Sequence, residues 1–345
     1  MTSRAAKACA APVAAAAALA SQPATAQIVS LNYDRLSSFE EPLAFELDDV
    51  TIQLTGMVDV PVAIDLDGDP AVDNFDPGVI GNFQVTAQTL LPNRWRLGAA
   101  YFGQYASDPN RIFDNRDDYS DNVAGFVGTS VGTVLGGNVS GQVREQTRRR
   151  RAVGNGFLAF DNFYGGLDEW GGAYVGRFGP SVFSAAVDDD GNAELGYFFQ
   201  RPLGQRDYRF ALRLADGRFT PADRTTEFST KGVMAVGEVV YAKSLVDLGI
   251  GYERLESPLA DANRWFVSSG MQTQVGALRL SAEAHLGKAA GERERSLAFG
   301  AEYFVGRGLS ANLGINFEDA QVFAGPVNLV SADTVQGLAS IRFSF

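Results

Sequence analysis

The chain carries few residues arranged for covalent chemistry. His285 is its only histidine, and Ser281 precedes it by four residues. Serine catalysis also needs a group that orients the base and donors that stabilise an oxyanion. No sequence motif indicates either of them. The sequence has no glycine-rich phosphate loop and no histidine-rich metal spacing. We therefore expect a protein that is not an enzyme and that needs no cofactor.

An acidic cluster is the one group that could attract a metal ion. Asp65, Asp67 and Asp69 alternate along the chain, and Asp73 and Asp76 follow them. Carboxylate oxygens suit hard cations such as calcium. An EF-hand loop needs glycine at its sixth position, where this stretch has proline. A solvated acidic loop is the better interpretation, and we predict no metal site here.

One segment concentrates charge of both signs, because an arginine run is followed by three acids. The run comprises Arg144, Arg148, Arg149, Arg150 and Arg151, and the acids are Asp161, Asp168 and Glu169. If guanidiniums and carboxylates face one another across a narrow passage, their transverse field orders water and sorts solutes by charge and dipole. Arginine suits such a site because it stays ionised at any relevant pH.

The composition favours strands and argues against binding nucleic acid. The chain has 345 residues, of which 46% are hydrophobic, and it carries 38 glycines and 24 phenylalanines against 4 methionines. Glycine-rich turns and aromatic residues are typical of β-structure. The formal net charge is −12, so the chain has no basic background with which to neutralise phosphates.

Residues 1–26 have the three parts of a secretory signal peptide. Arg4 and Lys7 precede an alanine-rich apolar run, and the small-residue triplet Ala24-Thr25-Ala26 ends the segment. Cleavage after Ala26 would also remove Cys9, the only cysteine, so the exported protein would hold no disulfide and no thiolate ligand. After this segment no run of 18 apolar residues predicts a membrane-spanning helix.

The remaining chain alternates apolar and polar residues with a period of two. Leu280, Ala284 and Leu286 fall on one face of a strand, for example, with Glu283 and His285 on the other. Pieces of about ten residues repeat this pattern along most of the chain, which is the length that crosses a bilayer as a tilted strand. The charged face needs water, and a closed barrel supplies water inside while lipid covers the outside.

We count sixteen strands, joined alternately by short turns and by longer, more polar loops. The predicted strands are 50–66, 80–91, 94–105, 122–130, 133–143, 171–179, 181–188, 192–201, 206–215, 229–242, 245–255, 263–275, 277–287, 294–305, 309–318 and 333–345. The longer links are predicted near 67–79, 106–121, 144–170, 216–228, 256–262, 288–293 and 319–332. Short turns on one side and long loops on the other are typical of an outer-membrane barrel.

Over about residues 50–345 the chain resembles Gram-negative outer-membrane porins of the general-diffusion type. Its C-terminus, Ser340-Ile341-Arg342-Phe343-Ser344-Phe345, resembles the signal that such barrels present to their assembly machinery, with Phe345 as its last residue. Its longest loop, 144–170, contains Asp161-Asn162-Phe163-Tyr164-Gly165-Gly166, which is similar but not identical to the constriction segment of the family. Residues 27–49 are an N-terminal extension that family members typically lack.

The resemblance implies an all-β transmembrane antiparallel barrel whose third loop folds into the lumen. It places the arginine run and the three loop acids at the pore constriction, with wall contributors on inward positions: Arg94, Arg96, Arg209, Arg213, Arg279 and Arg342. It implies a homotrimer in the outer membrane of a Gram-negative bacterium. The expected partners are the lipid bilayer, lipopolysaccharide, the barrel assembly machinery and small hydrophilic solutes.

Two other functions stay open at this point. The barrel could be a ligand-specific or non-conducting structural protein whose long loop or N-terminal extension closes the lumen. A soluble periplasmic β-sandwich could also carry strands that alternate in this way. The net negative charge favours cations and the arginine run favours anions, so the sequence leaves the sign of any selectivity open.

Overall fold

A computed structural model describes residues 43–66, 76–106, 119–150, 152–156, 162–167, 170–220, 227–257, 261–306, 308–323 and 329–345. The predicted signal peptide lies outside these ranges, as do Asp67, Asp69 and Asp73 of the acidic cluster. Arg151, Asp161, Asp168 and Glu169 of the long loop lie outside them too.

The described residues form eighteen strands and one short helix. The strands are β1 (Leu43–Leu47), β2 (Val50–Asp65), β3 (Asp76–Pro77), β4 (Ile80–Leu90), β5 (Arg96–Ala106), β6 (Tyr119–Thr129), β7 (Gly132–Asn138), β8 (Trp170–Phe178), β9 (Ser181–Asp188), β10 (Ala193–Leu203), β11 (Arg206–Phe219), β12 (Phe228–Tyr241), β13 (Ser244–Glu256), β14 (Asp261–Val275), β15 (Leu278–Ala289), β16 (Glu292–Gly306), β17 (Leu309–Phe323) and β18 (Leu329–Ser344). The helix α1 (Gln142–Thr147) follows β7.

Sixteen of these strands, β2 and β4 to β18, close into one antiparallel barrel. Each strand pairs with its neighbour in the chain, and β18 returns to pair with β2 from Gln336↔Asp65 to Ser344↔Met57. The seam is completed by two backbone hydrogen bonds between Gly56 and Phe345, of 2.8 and 2.9 Å. Closure leaves these sixteen strands without a free edge, so their ladder groups pair within the sheet. A single closed sheet is not a sandwich, so the prediction of a sixteen-stranded barrel is confirmed.

The two faces of the barrel differ as the alternation predicts. On β15, Leu280 and Leu286 are exposed on the outside, while Ser281, Glu283 and His285 are buried on the inside. The outer face of the other strands is also lined by exposed leucine, valine, isoleucine and aromatic side chains. The outside of the barrel is therefore apolar, whereas the inside carries polar and charged side chains beside a buried apolar cluster around Phe102 and Phe126.

The strands are joined by tight turns at one end of the barrel, which we call the short-turn end. Gly179, Gly204 and Gly276 supply the left-handed conformation in three of these turns. The opposite end carries the longest links, together with three short ones, between β9 and β10, β13 and β14, and β15 and β16. The predicted loop 288–293 is wrong, because only Ala290 and Gly291 separate β15 from β16. Both have positive φ, 51° and 97°, which is the geometry of a two-residue hairpin turn.

The predicted strand 133–143 is wrong in its second half. β7 ends at Asn138, and Gly141, with φ of 73°, turns the chain into α1. Val139 and Val143 are buried against Leu135, Ala173 and Ala186, which belong to an apolar cluster on the inner wall. The apolar residues that follow the end of β7 therefore pack the helical segment against the wall and do not extend the strand.

Part of the predicted N-terminal extension pairs with the barrel. β1 pairs with the first residues of β2, from Leu43↔Leu54 to Leu47↔Val50. It lies on the side of β2 that β18 occupies further along, so it continues the sheet beyond the C-terminal residue. Leu43, Phe45 and Leu47 share the outer face with their partners on β2 and are exposed. No helix in the described ranges is long and apolar enough to span a membrane.

Candidate functional site in the barrel interior

The link between β7 and β8 contacts the inner wall along most of its described length. Its first part is α1, which packs against β9, β10 and β11. Arg149, Arg150 and residues 152–156 then lie across strands β12 to β18. Asn162 to Gly166 contact β10 to β14 and β16. We call residues 139–169 the long link.

Three carboxylates form a row on the inner wall beneath Arg149. Glu238 stands opposite Asp247, and Asp247 and Glu283 both stand opposite Gly270 on the intervening strand. The Arg149 guanidinium donates to Asp247 and, at 3.2 Å, to Glu283. All the side chains of this ion cluster are almost fully buried. A buried cation that bridges two buried carboxylates fixes the position of the long link, because separating them leaves charges without partners.

Glu238, the remaining member of the row, binds two further arginines. Arg209 donates to it from the neighbouring strand, and the Arg150 Nε lies 3.3 Å from its carboxylate. The backbone N–H of Arg150 donates to the same carboxylate at 3.0 Å. Arg209 also donates to the backbone carbonyl of Gln146 at 2.9 Å. These contacts join α1 and the arginine run to the wall.

Glycines on the wall make room for the backbone of the long link. A Cβ added at Gly300 would lie 2.0 Å from the Val153 carbonyl oxygen, and one added at Gly314 would lie 2.3 Å from Asn155. The neighbouring polar side chains hold the same segment, since Val153 N–H donates to Ser281 Oγ at 3.1 Å. Asn155 Nδ2 donates to a wall serine, Ser340, at 3.0 Å. Larger residues at these glycines would push the link away from the wall.

The described part of the segment Asp161–Gly166 binds a second set of wall charges. Asn162 accepts from Arg213 at 2.7 Å through its side chain and from Arg264 through its backbone carbonyl. The backbone N–H groups of Tyr164 and Gly165 both donate to Glu253, each at 3.0 Å. Asn162, Tyr164 and Gly165 are therefore all bound to charged side chains of the wall.

Phe163 fills an apolar site on the same wall. It packs with Ala211, Met234 and Phe266, and the Arg213 guanidinium lies 5.0 Å from its ring centroid. A Cβ at Gly232 would lie 2.8 Å from the ring. The aromatic side chain and the hydrogen bonds beside it thus hold the link at one level of the barrel.

Tyr164 and His285 meet at Glu294. The Tyr164 hydroxyl donates to Glu294 at 2.6 Å, and Arg264 Nε donates to the same carboxylate at 3.0 Å. Burial raises the pKa of the Tyr164 phenol above its ordinary value, which keeps this donor protonated. His285 Nε2 lies 3.4 Å from Glu294, and its Nδ1 lies 2.8 Å from Ser268, not Ser281. Ser268 and His285 are both almost fully buried, so no substrate can reach them in this arrangement.

The structure brings together some of the predicted constriction residues and separates others. Arg144 and Arg148 to Arg150 belong to the long link, and Arg209, Arg213 and Arg342 contact it. Arg279 pairs with Glu302 at 3.3 Å, and Arg342 with Asp59 at 2.9 Å, both on the inner wall near the short-turn end.

The other predicted arginines lie apart from these ion clusters. Arg148 pairs with Glu145 at 2.6 Å at the end of α1, where Arg144 also lies half-buried. Arg94 lies exposed in a short turn with a φ of 64°, and Arg96 begins β5. Asp65 ends β2. In the described ranges no group of three or more histidine, cysteine, aspartate or glutamate side chains is placed to hold a metal ion.

The described contacts include charge pairs of the opposite polarity to the predicted ones. The described part of the link supplies guanidiniums to wall carboxylates. The predicted pairs of wall guanidiniums with link carboxylates involve Asp161, Asp168 and Glu169, which lie outside the described residues, so they stay a prediction. Sequence analysis missed these acids: Glu194, Glu238, Asp247, Glu253, Glu283 and Glu294. The signal was present for four of them, because Glu194, Glu238, Asp247 and Glu283 occupy inward positions between residues that are apolar or small. Glu253 and Glu294 have arginine neighbours, so this pattern would not have found them.

Comparison with known proteins identifies the fold. No protein-family model matches the chain, and no curated protein matches it. Among proteins of known structure, a loop L8 deletion mutant of OmpT, an outer membrane protein of Vibrio cholerae, matches with a TM-score of 0.66 and 12% identity, covering 86% of this chain and 100% of that chain.

Two further structures give the same result. An anion-selective porin from Comamonas acidovorans matches with a TM-score of 0.63 and 14% identity, over 86% of this chain and 100% of its own. A mutant of the Rh. blastica porin matches with a TM-score of 0.53 and 14% identity, over 85% of this chain and 100% of its own. At these identities the similarity establishes the barrel fold that the chain shares with such proteins.

Proposed function

We propose that the protein is an outer-membrane porin of a Gram-negative bacterium, a water-filled channel for passive diffusion of small hydrophilic solutes and ions. The observation that carries this proposal is the sixteen-stranded closed barrel with an apolar outer face and a charged inner face. Proteins that share its fold include outer-membrane proteins and porins. The channel performs no chemical step and needs no cofactor.

The physical chemistry of the barrel supports a place in a lipid bilayer. Exposed leucine, isoleucine, valine and aromatic side chains on the outer face would be stabilised by hydrocarbon. The closed ladder satisfies the backbone groups that hydrocarbon cannot. A barrel of sixteen strands is wide enough for an aqueous channel unless a segment of the chain fills it. The predicted signal peptide, residues 1–26, would direct export.

The long link is the proposed loop 3, folded into the lumen to form the constriction. Support comes from Arg149, which binds wall carboxylates of β13 and β15, and from Asn155, which binds the wall at β18. The wall glycines support the same placement, since their missing side chains leave space for the link. The proposed constriction comprises the arginine run with Arg209, Arg213, Arg279 and Arg342.

The proposed partners follow from the same architecture. OmpT of Vibrio cholerae has been solved in a trimer form, and we include a homotrimer in the proposal. Phe345 would be the residue that the barrel assembly machinery reads, and its place at the barrel seam suits a signal available before closure. Lipid and lipopolysaccharide would cover the outer face.

Planar-bilayer recording of the purified, detergent-folded protein tests the proposal. Stable conductance steps that increase in proportion to KCl concentration are expected from a water-filled channel. A silent bilayer, obtained with protein that fractionates with the outer membrane, would refute the channel. It would favour the ligand-specific or structural barrel, which the apolar cluster around Phe102 and Phe126 inside the barrel would suit.

A further inference from the structure

Three ion pairs on the inner face share an unusual asymmetry. Arg150 pairs with Glu238, Arg279 with Glu302, and Arg342 with Asp59. In each pair the arginine side chain is the exposed partner: 44% against 0%, 41% against 8%, and 17% against 2%. Water inside the barrel therefore meets the guanidinium, while the carboxylate lies beneath it.

The asymmetry has a steric origin in the wall. Glu238 is covered by Arg209 and by the backbone of Arg150, which donate to it from two sides. Arg279 extends over the Phe304 ring, with 4.4 Å between the guanidinium carbon and the ring centroid. Stacking on an aromatic face orients the planar guanidinium, which still donates to Glu302 at 3.3 Å while its side chain stays 41% exposed.

The three arginines lie beside the same stretch of the long link. Arg150 belongs to it, and Arg342 Nη2 lies 3.5 Å from the Asn155 side chain. Arg279 is two residues from Ser281, which binds Val153. This stretch lies against the wall, so solutes that pass it on the lumen side pass the exposed guanidiniums.

In the described ranges, the other charged residues of the inner face do not outweigh the positive charge that these arginines present to the lumen. The acids with appreciable exposure are Asp207, which binds Gln200 near the short-turn end, Glu145, which pairs with Arg148, and Glu46 on β1. The remaining acids of the inner face whose side chains are described are buried. Arg96 and Arg177 add two positive charges to inward positions near the short-turn end.

From this arrangement we infer that the passage selects small anions, although the chain as a whole is acidic. An ion in the passage meets the positive end of each pair first, and its interaction with the more distant carboxylate is weaker. Arginine is ionised at all relevant pH values and suits transient binding of carboxylate or phosphate groups. The inference rests on the proposed channel function and names the class of solute that the channel favours.

The reversal potential in a tenfold KCl gradient tests this inference. The wild-type protein is expected to give the sign of chloride permeation, with PCl/PK above one. Arg150→Gln and Arg279→Gln should each lower PCl/PK by about two- to threefold, from a unit charge about 7 Å from the ion that salt partly screens. Together the two substitutions should lower it by about fourfold or more.

Matched variants separate a charge effect from a folding effect. Arg150→Lys and Arg279→Lys keep the charge and should keep PCl/PK near the wild-type value. Arg218→Gln removes an exposed arginine that pairs with Glu227 on the outer side of the loop end, and it should leave PCl/PK unchanged. Heat-modified mobility on gels establishes that each variant is a folded barrel.

The outcomes distinguish this inference from the proposed function. A conducting wild-type channel whose reversal potential has the sign of potassium permeation would overturn the anion selectivity. It would still support the proposed channel function. Conducting Gln variants with unchanged PCl/PK would also overturn it, because the exposed guanidiniums would then lie outside the ion path. A silent bilayer would overturn the channel and the inference together.

Discussion

Substituting Arg149 by methionine tests whether buried charge holds the long link on the wall. Methionine keeps most of the length of the side chain and removes its charge. Asp247 and Glu283 would remain in the wall, where their side chains are 1% and 3% exposed, without their shared cation. Removing one partner from a buried ion pair costs about 3–5 kcal/mol.

The barrel can limit this cost by releasing the link. Once the link leaves, water reaches both carboxylates, so the energy appears as local opening and the sixteen-strand ladder survives. A loss of about 3 kcal/mol changes the ratio of seated to released link about 150-fold. Amide exchange measures this ratio, because the N–H groups of Arg150 and Val153 donate to Glu238 and Ser281 only when the link is seated.

Hydrogen exchange read by mass spectrometry on peptides that cover 148–156 should therefore be about 150-fold faster in Arg149→Met. Single-channel current should become larger and noisier, because a released link moves within the passage. Adding Asp247→Asn and Glu283→Gln removes the stranded charges and should restore most of the protection. Arg254→Met is the matched control, since Arg254 pairs with Glu256 on the surface and contributes about 1 kcal/mol or less.

Exchange rates in Arg149→Met within about threefold of wild type would refute this reasoning. The link would then be seated by its backbone contacts and by Phe163, and the buried ion cluster would add little. Unchanged exchange with an altered current would likewise assign Arg149 to ion passage and not to anchoring.

Three further substitutions test the wall, the outer face and the seam. Gly300→Ala places a Cβ 2.0 Å from the Val153 carbonyl oxygen and should destabilise the seated link by about 1–3 kcal/mol. The same hydrogen-exchange experiment measures this loss. A Cβ at Gly237 would have no atom within 4 Å, so the control Gly237→Ala should leave the exchange rates of the link unchanged. Leu313→Arg on the outer face should destabilise the folded barrel by about 2–4 kcal/mol, measured by urea unfolding from liposomes. Leu203→Arg at a strand end should cost about 1 kcal/mol or less. Equal costs at the two depths would contradict a membrane-spanning barrel. Deleting Phe345 removes both backbone hydrogen bonds to Gly56 and should lower the temperature at which the barrel loses its heat-modified mobility, an effect that Phe343→Leu should not reproduce.

The sequence predicted the architecture because alternation is a local property. Leu280, Glu283 and Leu286 report the inner and outer faces through their spacing alone, and sixteen such pieces define the barrel. A local pattern does not define a strand boundary where it fits two structures. Val139 and Val143 continue an apolar pattern that suits a strand or a helix, and only Gly141 and packing against the wall select α1.

The ion partners were decided by the tertiary structure. Arg149 lies 98 residues from Asp247 and 134 from Glu283 in the chain, and no local pattern connects them. The strand register places Asp247 and Glu283 on either side of Gly270, at the same height in the barrel. Both carboxylates lie on the inner face, where Arg149 can bind them together. Residue types gave the arginines their chemistry, but strand pairing determined which carboxylate each one meets and which arginine faces water.

A period of two thus determined which residues of this chain face inward, because the side chains of a strand must alternate between its faces. Sequence alone could not determine that the long link brings its arginines to the wall acids, or that the guanidinium covers the carboxylate in three pairs. Those arrangements depend on how far strands separated in the chain stand from one another when the barrel closes, and distance in space is what sets a Coulomb energy.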